Sequence, residues 1–110
     1  MSINFKKGDL FTLEQQLVDD NASPISFIGV QQVMFVMRHD AEDLTVRGDC
    51  SFDALTSYVY YQFVNGETDV AGMYRAEYEL IYSPLGEETC RVLTVPNRGT
   101  LWIHIEDDVA

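Results

Sequence analysis

The chain has 110 residues, a net charge of -11 from 18 acidic and 7 basic side chains, and a hydrophobic share of 46% with 12% aromatics. That length suits one domain, 1–110, able to bury a core without staples, and the composition argues against disorder. A surface this negative repels nucleic-acid phosphates and anionic membrane, so neither is an expected partner and a basic or mixed protein surface is.

Only Cys50 and Cys90 are present, too few for a disulfide scaffold and without the C-x-x-C spacing of zinc or redox sites. They read as small buried residues unless their strands are neighbours and allow a bridge. No apolar run approaches the roughly 20 residues of a membrane span, and the start MSINFKKGD lacks a signal-peptide core. The expected place of synthesis is a cytoplasm.

In chain order, DLFTLEQQLVDDN from Asp9 reads as a short helix, with Leu10, Leu13 and Leu17 at helical spacing, or as an opening strand with a loop, which is the stronger choice. Asp19, Asp20, Asn21, Ser23 and Pro24 form a turn cluster. After the short Ile25–Ile28 segment and Gly29, the run Val30–Arg38 is apolar on both sides and reads as a central strand. His39, Asp40, Ala41, Glu42 and Asp43 make a polar turn. Leu44–Arg47 and Cys50–Phe52 then read as two short strands in a hairpin around Gly48 and Asp49.

Tyr58–Val64, dense in aromatic and β-branched residues, ends at the turn dipeptide Asn65-Gly66. The segment 73–82 alternates cleanly. Tyr74, Ala76, Tyr78, Leu80 and Tyr82 share one face, and Met73, Arg75, Glu77, Glu79 and Ile81 the other, as in a strand with one buried side. A turn at Ser83–Gly86 leads to Thr89–Val95 in a hairpin, a second turn spans Pro96–Gly99, and Thr100–Glu106 closes the domain with Trp102 and His104 on one face. Seven to eight short strands at these intervals predict an all-β fold, an antiparallel immunoglobulin-like β-sandwich.

Chemistry is weakly signalled. The acidic pairs Asp19–Asp20 and Glu87–Glu88 and the terminal Glu106–Asp108 sit in turns or at the end, and Glu67, Thr68 and Asp69 before Gly72 lack the later glutamate of a calcium loop. His39 and His104 show no zinc spacing. Ser57, Ser83 and Cys50 lack a nucleophile motif, and the seven glycines are scattered as turn or bulge residues. No catalytic, cofactor or metal residue is predicted, and the chain is read as no enzyme. Tyr58, Tyr60 and Tyr61, or Tyr74, Tyr78 and Tyr82, offer either a carbohydrate platform or an aromatic core, the core reading being the stronger for the latter three.

Several blocks together carry a resemblance: KKGDL at Lys6–Leu10, PISFIGVQQVMFVMR at Pro24–Arg38, YVYYQF at Tyr58–Phe63, ETDVAGMYRAEYELIY at Glu67–Tyr82 and TVPNRGTLWIHIEDDV at Thr94–Val109. The most specific element is the acidic turn followed by G-x-Y-x-x-E, here Gly72, Tyr74 and Glu77. With these the chain resembles the N-terminal β-sandwich domain of phage baseplate upper proteins, from siphophage tails. The resemblance implies an immunoglobulin-like fold without catalysis or cofactor, in a virion part that docks onto other tail proteins. In that family the sandwich anchors a longer chain whose distal segments carry receptor-binding proteins. This sequence ends at Ala110, so the expectation is a stand-alone adaptor, tail accessory or capsid-surface subunit, present in several copies or as a homo-oligomer. It would be made in the host cytoplasm and end in the virion. Asp40, Glu42, Asp43, Asp107 and Asp108 are the expected electrostatic contacts to a basic neighbour, and a glycan- or cell-surface-binding module using exposed aromatics is the alternative.

Overall fold

The computed structural model describes residues 2–82, 91–96 and 100–107. They form eight strands and no helix: β1 (Ser2–Lys6), β2 (Thr12–Gln16), β3 (Val30–His39), β4 (Thr45–Asp53), β5 (Tyr58–Gln62), β6 (Gly72–Tyr82), β7 (Arg91–Val95) and β8 (Leu101–Glu106). One hydrogen-bonded path runs β1-β8-β6-β3-β4-β5-β2, with β7 also on β6, and it curls into a half-barrel. β6 is shared lengthwise on one side, Gly72–Ala76 pairing with β8 and Tyr78–Tyr82 with β7.

The all-β expectation holds, but the strand directions need correction. β1 runs parallel to β8, Ser2 opposite Trp102 and Lys6 opposite Glu106, so the sheet is mixed and not wholly antiparallel. SINFK is short and only half apolar, and a parallel pair far apart in sequence leaves no local turn to announce it.

The expected hairpin around Gly48 is also corrected. Residues 45–53 are one strand that changes layers: Thr45–Cys50 pairs with β3, and Ser51–Asp53 pairs with β5. Gly48 marks a close approach, not a turn. A Cβ there would lie 2.8 Å from Cε1 and Oη of Tyr61, so only glycine lets that ring cross the β4 backbone.

The Asp9 segment resolves as strand β2, because Leu13 faces inward opposite Tyr61 while Thr12, Glu14 and Gln16 are exposed. Residues 17–29 form a loop pinned by Leu17 N–H to Ser57 O and Ile25 N–H to Leu17 O, both 2.9 Å. The turn expected at 83–86, residues 97–99 of the turn expected at 96–99, and residues 89 and 90 of the expected 89–95 strand lie outside the described residues.

The clean alternation of 73–82 appears as predicted: Tyr74, Ala76, Tyr78, Leu80 and Tyr82 are all buried. Rings thread the interior from the β1 edge inward. Phe5 meets Phe11 at 4.4 Å, Phe11 meets Phe63 at 4.9 Å, Phe63 meets Tyr61 at 5.0 Å, and Tyr61 stacks on Phe35 at 4.5 Å. Each such pair adds about 0.5–1.5 kcal/mol beyond its buried area. The β2–β5 layer thereby lies across β3 and β6, an arrangement also fixed by the Tyr78 hydroxyl donating to Gln15 Oε1.

Candidate docking surfaces

β3 ends at His39, and this ring builds the acidic turn that follows. Its Nδ1 accepts the backbone N–H of Ala41 at 3.0 Å and of Glu42 at 2.9 Å. An imidazole nitrogen that accepts carries no proton, so the proton sits on Nε2 and is donated to Ala71 O at 3.0 Å. Gly72 makes room for this ring: its φ is +138°, and a Cβ would collide with the imidazole. Asp40 is fixed further by its N–H to Met73 O at 2.8 Å and by an exposed ion pair with Arg75 at 3.5 Å. The carboxylates of Asp40, Glu42 and Asp43 are left on the surface of a well-held turn.

The register brings Asp107 to the same end. His39 lies opposite Tyr74, Gly72 opposite Ile105 and Glu106 opposite Lys6, so the 40–43 turn and the end of β8 border one pole of the half-barrel. Asp107 is exposed there, and Asp108 lies outside the described residues. The loops after β1 and β5 complete this pole, joined by Gly8 N–H to Thr68 O and by the buried Thr68 hydroxyl to Asp9 O, both 2.9 Å. Sequence reasoning missed its apolar component. Leu10 and Val64 are each 56% exposed and Val70 is 41% exposed; the signal available was an apolar residue set beside a turn in each loop. A partner would meet carboxylates interspersed with aliphatic anchors.

The groups that sequence offered for chemistry are occupied otherwise. The Ser57 hydroxyl donates to Ile25 O, and Cys50 is a buried thiol pushed up to about 12, first by burial and then by the charge of Asp49. Burial also raises the Tyr61 phenol, which donates to Glu67 at 2.8 Å. Among the described residues no three His, Cys, Asp or Glu side chains come together in a metal-binding group. Cys90, Ser83, Glu87 and Glu88 lie outside those residues.

Among the described residues β1, β2 and β7 each pair on one side only, leaving strand edges open. Beside β7 a groove of about 430 Å³ is lined by the apolar Val18, Pro24, Ile25, Leu93 and Val95 together with Asp19 and Asp20. The tyrosines divide: Tyr61, Tyr74, Tyr78 and Tyr82 are interior, and Tyr58 and Tyr60 are half-buried on the outer face of β5. Trp102 and His104 share the outer face of β8, both half-buried. Neither protein-family models nor curated protein sequences yield a match to the chain.

Proposed function

We propose that the chain is a non-enzymatic structural protein of a bacteriophage or prophage particle, a tail, baseplate or other accessory subunit that docks in several copies onto neighbouring virion proteins. On this reading its two facing layers belong to an immunoglobulin-like sandwich. The observation that carries the proposal is the half-barrel with open strand edges and an acidic, aliphatic-studded pole. Open edges add strands from neighbours, and a packed core keeps the subunit rigid while they do so. Mass spectrometry of purified particles from cells carrying the gene tests it: the chain should be present at a fixed copy number relative to other virion proteins. Particles that lack it, from cells that express it, rule the proposal out.

A glycan-binding role is the second reading, favoured by the outward position of Tyr58 and Tyr60. It requires saturable binding on a glycan array, which a purely docking subunit lacks.

A further inference from the structure

Strand geometry alone sets the spacing of Tyr58 and Tyr60. Residues two apart on a strand share a face and stand roughly 6.6 Å apart, and here the two ring centroids are 6.5 Å apart with the planes within 22° of parallel. A planar group stacked between two faces needs roughly 3.5 Å on either side. The row of rings is therefore spaced for one flat group.

The flanks of this slot are acidic. In the β2–β5 register Glu14 lies opposite Tyr60 and Gln16 opposite Tyr58, while on the β4 side Ser51 lies opposite Tyr60 and Asp53 opposite Tyr58. Glu14 and Asp53 are exposed, and Glu14 has no ion-pair partner among the described residues. Both carboxylates act on one phenol: Tyr60 is raised above its ordinary value by desolvation first, then by Glu14 and Asp53. A cation is favoured here, and a flat one suits the spacing.

We propose that this face receives an arginine side chain from a partner protein, its guanidinium stacked between Tyr58 and Tyr60 and charge-paired with Glu14 and Asp53. The inference rests on the docking reading and deepens it by giving the partner's chemistry. Guanidinium is planar, weakly hydrated and able to stack and bond carboxylates together, whereas ammonium is a compact, strongly hydrated point charge. A sugar ring needs an aromatic face laid open beneath it, and a neutral sugar, though its hydroxyls can bond carboxylates, does not neutralise their charge. The edge of β2, unpaired among the described residues, gives the arginine-bearing segment an extended path, with its side chain reaching over Glu14 to the rings.

The test is an amide-shift titration of the whole chain with a short alternating threonine–valine peptide bearing one central arginine, against the same peptide with lysine. Saturable shifts are expected at residues 12–16, 51–53 and 58–62, with the arginine peptide binding roughly three- to fivefold tighter than the lysine one. Tyr60→Ala and the structurally mild Glu14→Gln should each weaken it by a similar factor. Equal binding of both peptides, shifts elsewhere, or shifts at these tyrosines with neutral oligosaccharide but not with arginine overturn the proposal. A chain present in particles whose tyrosine face ignores arginine overturns this inference alone. Arginine binding by a chain absent from particles removes the virion reading and leaves the slot standing.

Discussion

Gly72 and His39 act as one unit, a left-handed backbone position and the ring it admits. Gly72→Ala adds both a strained φ and a collision, so we expect it to lower stability by about 2 kcal/mol in urea unfolding. A neutral effect would mean the 39–43 turn does not depend on the imidazole. Cys50 makes a chemical prediction. Burial pushes its thiol up from the ordinary 9.0 to about 12, so alkylation in the native protein should be at least about tenfold slower than in the unfolded chain at the same pH, the smaller thiolate fraction outweighing its greater nucleophilicity, read by peptide mass spectrometry. The same displacement has a sign for stability. A folded-state value above the unfolded one means that the native state holds its proton longer; the contribution is complete below pH 9 and is lost as pH rises through the window to about 12. Buried Tyr61 and Tyr78 are raised in the same direction. The urea midpoint should stay level from neutrality to about pH 9 and fall above it, and a level profile at higher pH would contradict the burial described.

At the scale of elements, what was legible followed from periodicity. β6 and β8 show strict alternation and β5 is dense in aromatics, so their positions were readable to within a residue or two. β4 was read as two strands because glycine followed by aspartate is ordinary turn chemistry, whereas here Gly48 answers to Tyr61, a ring thirteen positions away and invisible to a local window. β1 was missed for the related reason that its partner is β8. The acidic turn at 40–43 was legible as a turn, but the ring that holds it and the aliphatics sharing its pole were not, since nearness between loops 7–11 and 63–71 exists only after folding. Gly48→Ala should cost about 1–3 kcal/mol by overpacking. In a double-mutant cycle with Tyr61→Leu the two losses should not add, because the second change removes the obstructed ring. Strict additivity would show that Gly48 serves something other than this crossing.

For the whole molecule, 18 acidic against 7 basic residues means the native state compresses like charges. Raising sodium chloride from low to about 0.5 M shortens the Debye length to a few ångströms, and the urea midpoint should rise. The pairs Arg38–Glu77 and Arg47–Glu79, each an exposed arginine on a half-buried glutamate, lose a little in the same salt, but two such pairs are few against the general repulsion. A falling midpoint would mean that those pairs outweigh the general repulsion.

The parallel pairing of β1 with β8 has a temporal consequence. On a ribosome Ile3 and Phe5 are made a hundred residues ahead of Ile103 and Ile105, their partners in β8, so they must wait through the synthesis of every strand between with their docking surface unbuilt. Closing a ring of that length is slow compared with forming any neighbouring hairpin. The nascent chain therefore passes through a stage in which β2 to β7 can begin to assemble while β1 hangs loose, and that stage is when β1 is most open to chaperones, to misjoining, or to a partner that offers a strand of its own.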